Sequence, residues 1–538
     1  MSVPAGAGVL ATDTLVGPSN GRSLNPNARR EDVNPQRAAL RVALAAAVVA
    51  LVADFLLDEH AIGINVALTT VALLLAGIVI RPSERPFDSI DAWLPIGAVV
   101  FAAFVAIRDD RSLVTLHAVA ALGLAGASIA AFAGIPVTRS ALPALFALAG
   151  RVIVTTLAGA ALVYRFLALP SLTSRHAAIA GPRIMPVARG LAIVTPLLFV
   201  FAALFAAADP VFGSFADRIL RFDFDVGRLP LHLAFIGVVA WLAAGLLWFV
   251  EDPPALPEAR SLGAAASTIT ASGPRLGTVE AITILIALDL LFGAFVILQV
   301  QYLFGGQDTR AAAGIPYAQY ARQGFFELLI AVALAGALVG MLEILVGLRR
   351  RAYVVALLAL VGLTAVVLAS SFLRLSLYQE AYGWTELRFY VDAAIVFFAA
   401  GLAAAAALIA MNRSRWLGHA LGVTALAVLL GVSVVGPQAY ITDRNLERAL
   451  VPGVVPGFGE ERLDTAYLGT FDADAVPALV AALPRVDDQT RADLDIRLQA
   501  LRDRLEEDRG DAPAWNLARE RARAALDARY GPPRVPQP

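Results

Sequence analysis

The chain has 538 residues, of which 58% are hydrophobic and 16% are charged, and its mean hydropathy is +0.70. Soluble domains hold roughly 25% charged residues and cannot bury this much apolar surface, so these values exclude a soluble protein and indicate an integral membrane protein. The net charge of −1 excludes a global attraction to nucleic acid, and the absence of cysteine excludes disulfides, thiolate metal sites and cysteine nucleophiles.

The first 36 residues are rich in Gly, Pro, Asn and Ser, and they contain no apolar stretch typical of a signal peptide. We therefore predict a disordered N-terminal tail over residues 1–36. Arg22, Arg29, Arg30 and Arg37 precede the first apolar run. By the positive-inside rule, this placement predicts a cytoplasmic N-terminus.

Twelve apolar runs follow, and a helix needs about 20 such residues to cross the hydrocarbon core. The runs are continuous and not alternating, which favours helices over barrel strands. The predicted fold is therefore all-α: a polytopic transmembrane helix bundle of about 11–12 spans over 37–436, followed by a small soluble helical region over 437–538. The runs are 38–57, 61–80, 90–107, 113–135, 141–164, 187–208, 229–250, 279–304, 325–347, 353–373, 387–411 and 417–436.

The fifth run, 141–164, carries Arg151 at its centre, and a central arginine costs roughly 3 kcal/mol on insertion scales. If all runs cross, about 15 arginines fall inside and about 13 outside, ignoring the C-terminal region. If the fifth run lies in the cytoplasmic interface, about 20 arginines fall inside and about 9 outside. We therefore predict eleven spans without this run and an exoplasmic C-terminal region. The use of arginine without any lysine, together with the alanine content, is typical of a high-GC bacterium.

Two segments outside the apolar runs have compositions that predict a loop and a group of short helices. Residues 251–278 combine Pro, Ser and Gly without apolar periodicity, which predicts a flexible loop. In the C-terminal region, Asp474 is expected to cap a helix. Three apolar stripes there predict three short helices in a small bundle, which either serves as a structural cap or binds a protein partner. The stripes are Val476, Leu479, Val480 and Leu483; Leu494, Leu498, Leu501 and Leu505; and Trp515, Ala518, Ala522, Leu526 and Tyr530.

Polar residues inside the apolar runs are the candidates for a functional site. Placing such groups at bilayer depth costs free energy, and the ones that occur there are often functional. In the eighth run, Glu280 lies near one end and Asp289 near the middle, on opposite faces at about 100° per residue. Asp289 is therefore either a functional site or a hydrogen-bonding group that fixes helix packing. Gln299 and Tyr302 follow in the same run, and Glu327 begins the next, where snorkelling to water is easy.

The segment after the tenth run is rich in arginine, glutamate and tyrosine. Arg374, Tyr378 and Tyr382 recur at every fourth position, so they share one face if the helix continues past the tenth run. Gly383 is expected to end that helix, and Thr385 to cap the next one. The cluster then forms a polar mouth or a headgroup site, or else a solvated loop with tyrosines in the interface belt. Its residues are Arg374, Tyr378, Glu380, Tyr382 and Arg388.

Enzymatic motifs are missing from the sequence. There is no Walker loop, no His-Glu-x-x-His and no Gly-x-Ser-x-Gly, and the five histidines lack ligand spacing. We therefore predict a protein that is not an enzyme and that has no cofactor, no metal site and no nucleic-acid partner. Asp209, which closes the sixth run before Pro210, is a further candidate polar residue, although a helix-terminating turn also explains it.

Several segments share a recognisable pattern, namely 204–212, 291–306, 317–328, 378–388, 445–448 and 463–468. Together they resemble a bacterial family of polytopic membrane proteins known as a domain of unknown function, DUF 4173, with its relative DUF 4153. The resemblance covers roughly residues 185–530. It implies a multi-span inner-membrane protein and no particular activity. Within it Arg322 is a candidate site residue, but Gln323 stands where the pattern has a second basic residue.

Two functions stay open. The first is a non-enzymatic envelope or signalling protein, in which the polar motifs around 299–327 and 374–388 form an outward-facing site coupled to the C-terminal region. The second is a transporter or channel with Asp289 and Gln299 lining a pathway, but the broken helices and internal repeats of many transporters are not evident. A membrane enzyme acting on lipid-linked substrates, through Glu327, Glu380 and Arg388, is a third alternative that no spacing supports.

Overall fold

The helical body of the protein is described by a computed structural model over residues 35–85, 87–140, 142–167, 229–251, 277–304, 325–346, 350–450 and 463–532. The predicted N-terminal tail up to residue 34, the run at 187–208 and most of the predicted loop at 251–278 lie outside the described residues.

Eleven long helices form the membrane body in these ranges, and no strand accompanies them there. Eight are long and apolar enough to cross a membrane, and shorter apolar stretches lie in α2, α3 and α5. The predicted all-α polytopic bundle is therefore confirmed. The helices are α1 (Pro35–Leu57), α2 (Ile64–Ile80), α3 (Trp93–Val105), α4 (Arg111–Phe132), α5 (Leu142–Leu167), α6 (Leu229–Glu251), α7 (Thr278–Phe304), α8 (Phe325–Leu345), α9 (Arg351–Tyr382), α10 (Glu386–Ala410) and α11 (Leu417–Val435).

Local sequence sets the boundary between α9 and α10 as predicted. Gly383 has a φ of +76°, a left-handed conformation that glycine adopts without strain, and its N–H donates to the Gln379 carbonyl. The Thr385 hydroxyl then accepts from the Arg388 N–H at 3.4 Å and caps α10. Both expectations for this turn are confirmed.

The soluble C-terminal region packs on one side of the body, which we call the tail face, and the opposite side is the far face. At the tail face, the Ile64 N–H at the start of α2 donates to the Trp515 carbonyl at 3.0 Å. At the far face, Arg41 in α1 pairs with Glu251 at the end of α6 at 2.7 Å, and Arg85 donates to the Val250 carbonyl. The start of α1 and the C-terminal region therefore lie on opposite faces.

Helix α5 packs against the bundle. It begins at the far face and runs antiparallel along α6, and its apolar stretch Ala144–Ala158 is shorter than those of the eight long helices, so the interfacial position of 141–164 stays a prediction. Leu148 is buried in the body, and the Trp241 indole of α6 donates to the Leu157 carbonyl at 2.9 Å. Arg151 is half-buried and interacts with other groups of the protein. Insertion scales give the cost of a lone arginine that faces lipid, and such a value does not include contacts of this kind.

The described part of the body has two separate apolar cores. The first joins α1 to α6, with Phe101, Ile129, Leu247 and Phe249 among its buried residues. The second joins α7 to α10 and the start of α11. We call these the first and second half-bundles. Helix α11 packs against both, because Leu426 contacts the first core and Leu421 the second.

The C-terminal region has its own core, and the predicted stripes are largely buried in it. Leu494, Leu498 and Leu526 are each about 1% exposed or less, whereas Trp515 is 41% exposed. The same core takes in Leu113 from α4 and Phe389 from α10, one from each half-bundle. Its helices are α12 (Pro437–Leu450), α13 (Thr465–Leu468), α14 (Val476–Ala482), α15 (Asp488–Glu506) and α16 (Leu517–Tyr530).

Candidate functional site

The densest polar arrangement among the described residues lies where the C-terminal region meets the tail face. We call it the tail junction. It consists of body residues 105–113, 384–390 and 433–436 and of C-terminal residues 437–445, 464–474 and 516–519. Its backbone groups come from helix ends, which leave N–H and C=O groups without partners inside their own helices.

Asp474 is the centre of the tail junction. Its side chain is 4% exposed and pairs with Arg108 at 3.1 Å. Its other oxygen accepts the backbone N–H groups of Asp109 at 2.5 Å and Asp110 at 2.8 Å. The prediction that Asp474 caps its own helix is wrong, since α14 begins after Ala475 with no side-chain cap. The carboxylate instead accepts donors from the loop between α3 and α4.

A second set of contacts joins the start of α16 to the same loop. Asn516 is buried and donates to the carbonyls of Val105 at 3.0 Å and Arg108 at 2.9 Å, while its oxygen caps α16. Arg519 pairs with Asp109 at 2.8 Å and donates to the Ile62 carbonyl. The C-terminal region is therefore fixed to the first half-bundle by ion pairs and by hydrogen bonds to exposed backbone ends.

The tail junction also includes the second half-bundle. The Glu386 N–H donates to the Tyr467 hydroxyl at 2.7 Å, and the Glu386 carboxylate accepts from Gln438 at 2.9 Å. Gln438 in turn accepts the Asp472 N–H at 2.9 Å. Asn445 bonds both the N–H and the carbonyl of Trp384. Since the start of α10 is held in this way, the C-terminal region contacts both halves of the body.

Burial changes the proton affinity of the junction acids. It raises the pKa of Asp110 to about 6, with Glu386 and Asp474 adding repulsion, while the backbone N–H groups that it caps act in the opposite direction. Burial also raises the pKa of Asp109, against the attraction of Arg519. Both carboxyls therefore hold protons more tightly when the C-terminal region is docked.

Docking is expected to strengthen on acidification. A docked pKa of about 6 for Asp110, against an ordinary 3.8, makes release of the C-terminal region about 2 kcal/mol harder at pH 4.5 than at pH 7.5. The free energy of release rises as the pH falls through about 6, because Asp110 then takes up a proton only in the docked form. Urea titration with a fluorophore on Trp515→Cys measures release. Asp110→Asn still caps α4 and should flatten the dependence, and easier release at low pH would contradict the assignment.

The candidates of the 374–388 segment lie at the edge of the tail junction, and Arg388 belongs to it. Arg388 stacks over the Tyr378 ring at 4.1 Å and donates to the Tyr382 carbonyl at 3.2 Å and to the Gly383 carbonyl. The Tyr378 and Tyr382 rings lie 4.9 Å apart. Arg374 lies one turn earlier on α9. Glu380 is exposed, and its carbonyl accepts from Arg448.

The other sequence candidates are scattered. Asp289 lies in the middle of α7, and its Oδ1 is buried with no hydrogen-bond partner among the described residues. Glu327 is exposed in the first turn of α8. Gln299 and Tyr302 fall in the last turns of α7, where side chains are outside the described part. Asp209 and Arg322 lie outside the described residues altogether.

Sequence reasoning missed the residues that the fold brings together. Asp392 in α10 accepts from the buried Gln379 of α9 at 2.5 Å, inside the second half-bundle. The buried His117 of α4 lies 2.6 Å from the Ser433 hydroxyl of α11. The sequence does contain one indication of the tail junction. A charged run separates two apolar runs there, and it consists of Arg108, Asp109, Asp110 and Arg111.

One group in the described part of the chain could hold a metal ion. Asp54 and Asp58 at the end of α1 and His232 at the start of α6 place three ligand atoms within 4.8 Å of one another. Two carboxylates and an imidazole suit a divalent transition metal. His232 Nδ1 already contacts Asp54 at 3.1 Å and Asp58 at 3.2 Å, so the group is also complete as an ion-pair cluster.

The fold and the tail junction define the class of the chain. It is a multi-pass, α-helical integral membrane protein with a polar helical region docked on one face. The chain belongs to the family described as Domain of unknown function (DUF4153), whose model matches residues 96–482. The match supports this family and not DUF 4173. Neither the curated proteins nor the solved structures contain a match to the chain.

The family match covers the central part of the tail junction. Arg108, Asp109, Asp110 and Asp474 lie inside the matched range, at its two ends in sequence. Asn516 and Arg519 lie beyond it. The junction thus joins the first helices of the family region to its last one.

Proposed function

We propose that the protein is a non-enzymatic membrane protein of the bacterial cell envelope with a signalling role. In this proposal the C-terminal region couples the two half-bundles and reports their relative position at the membrane surface. The observation that carries it is the tail junction, which holds both half-bundles through one soluble element.

The division of the cores supports this proposal. Each half-bundle has its own apolar core, so a small rotation between them does not require repacking of either core. The C-terminal core draws residues from α4 and α10, so the same rotation must change it. Ile496 and Trp515 are exposed on the C-terminal region at 68% and 41%, and we propose that a protein partner reads the change there.

A reversible crosslink tests the proposed coupling. The Leu517 N–H donates to the Ala106 carbonyl at 2.8 Å, so Cys at both positions is close enough for a disulfide, in a chain without other cysteine. Oxidation is expected to abolish the envelope-stress response of the host, and reduction to restore it. Deletion of residues 450–538 should reproduce the loss of the protein. An intact response after that deletion would contradict the proposal.

We further propose that the N-terminus is cytoplasmic and that the C-terminal region is exoplasmic in the bacterial cytoplasmic membrane. The opposite faces occupied by α1 and the C-terminal region support an arrangement of this kind. A membrane-impermeant maleimide should label Trp515→Cys in intact cells. Labelling only after permeabilisation would place the region in the cytoplasm.

A transporter is the second candidate, because two carboxyl groups lie in the second half-bundle. One is Asp289, at mid-depth of α7, whose Oδ1 has no partner among the described residues, and the other is Asp392, which pairs with Gln379. Intramembrane carboxylates commonly carry protons in transporters. Under this hypothesis, reconstituted protein shows a proton or solute flux that Asp289→Asn removes. Glu327→Gln, at an exposed helix start, is the matched control and should leave the flux unchanged. No flux across a broad solute panel would count against transport.

A further inference from the structure

A crevice opens between the half-bundles directly below the tail junction. Its volume is about 830 Å³, within the range of about 300–1,000 Å³ that ligand pockets occupy. One wall is α4, the opposite wall is α10, and α11 forms the floor. The lining positions are Arg111, Ser112, Thr115, Leu116, Val119 and Ala120; Tyr390, Ala393, Ala394 and Phe397; and Ala425, Leu426, Val428, Leu429 and Val432.

The polarity of the crevice changes along its length. Its polar side chains, including Arg111, lie near the tail-face ends of α4 and α10, and the deeper positions are apolar. The positions on α4 run from Arg111 to Ala120, about 14 Å along the helix axis at 1.5 Å per residue. One leaflet of a hydrocarbon core of about 30 Å is about 15 Å thick. The crevice therefore extends through the tail-face leaflet.

The cation at its mouth is available for a ligand. Arg111 is exposed, and its guanidinium makes no ion pair or hydrogen bond with any residue that the structure describes. The neighbouring acids have other partners: Asp110 caps α4 and lies 3.4 Å from the Tyr390 hydroxyl, and Asp472 accepts the Arg111 N–H. A free guanidinium above an apolar cleft is complementary to a phosphate that carries acyl chains.

We propose that the crevice binds an anionic phospholipid of the tail-face leaflet. Its acyl chain occupies the cleft between α4, α10 and α11, and its phosphate pairs with Arg111, assisted by the hydroxyl of Ser112. Inorganic phosphate has no acyl chain to contact the apolar lining, and in a zwitterionic lipid the headgroup cation competes with Arg111 for the phosphate. This proposal does not depend on the proposed function.

Native mass spectrometry of the full chain in detergent tests the site, with phosphatidylglycerol and phosphatidylcholine as probes. Arg111→Gln is expected to weaken phosphatidylglycerol binding about fivefold and phosphatidylcholine binding less, because the choline cation of phosphatidylcholine already neutralises its phosphate. Arg111→Lys should keep most of the affinity. Arg413→Gln, which removes an exposed arginine at the other end of α10, is the control. Ala394→Phe fills the cleft and should reduce binding of both lipids, while its thermal midpoint checks folding.

Three results would overturn the proposal. One is unchanged phosphatidylglycerol binding in both Arg111→Gln and a folded Ala394→Phe variant. The second is an equal loss in Arg413→Gln, which would show that surface charge alone attracts the lipid. The third is displacement by inorganic phosphate at the lipid's own concentration, which would show a site for the free anion.

Discussion

Replacement of Asp474 by alanine is expected to release the C-terminal region from the body. The substitution leaves the N–H groups of Asp109 and Asp110 without this acceptor, and it leaves the Arg108 guanidinium without a carboxylate, with only the carbonyls of Ser433 and Val434 as acceptors. Loss of one partner from a buried ion pair costs about 3–5 kcal/mol, because the remaining charge stays buried and unpaired. This is the largest single effect that we expect at the tail junction.

Maleimide labelling of Ala106→Cys measures the release. Ala106 is 3% exposed beneath the start of α16, so its labelling requires undocking. Asp474→Ala should accelerate it at least about a hundredfold, the factor that corresponds to about 3 kcal/mol. Asp488→Ala, which removes a fully exposed acid from the same region, should leave the rate unchanged. Equal rates in the two variants would contradict the central role of Asp474.

A double substitution measures the interaction between Arg108 and Asp474 apart from the other contacts of the tail junction. Arg108→Ala alone leaves the Asp474 carboxylate buried without its cation, so it should also accelerate labelling. Arg108→Ala with Asp474→Ala removes both charges. The combined effect is therefore expected to be smaller than the sum of the single effects, as for residues in direct contact.

Gly245→Ala is expected to disrupt the packing of α5 on α6. A Cβ atom at Gly245 would overlap the Thr156 carbonyl oxygen and would lie 2.7 Å from the Thr155 carbonyl oxygen. These are backbone atoms of the neighbouring helix, so no side-chain rotation relieves the overlap, and the helices must separate. Overpacking in a core typically costs 1–3 kcal/mol, and we expect about 3 kcal/mol here. The Trp241 hydrogen bond to Leu157 should be lost as well.

The thermal midpoint in detergent, followed by tryptophan fluorescence, tests this effect. Gly237→Ala lies two turns earlier on α6 and is the matched control, because nothing lies within 4 Å of a Cβ there. It should leave the midpoint unchanged or raise it slightly, since alanine is the better helix former. A similar midpoint for both variants would indicate that α5 is a loosely attached surface helix.

Local patterns were sufficient wherever the physical cause is local. Hydropathy placed the helices of the body, because each apolar run must avoid water by itself. Gly383 and Thr385 marked a helix end and a helix start, since left-handed backbone and N-caps depend on single residues. The leucines of α15 were correctly predicted to be buried, because a helix presents every third or fourth residue to its core.

The predictions failed where the cause is a contact between distant segments. Asp474 before a helix has the sequence pattern of a cap, but its donors lie more than 360 positions earlier in the chain. For the fifth run the sequence offered only an average insertion cost for Arg151, and the packing of α5 on α6 comes from contacts that such a cost does not include.

The sequence by itself therefore determined a membrane body of apolar helices and a soluble helical C-terminal region, because solvent and periodicity act on each segment separately. Only the tertiary structure decided that α5 packs on α6, that the body is divided into two half-bundles, and that one soluble region holds both. Those features depend on which charged and backbone groups meet at helix ends, and no single segment carries that information.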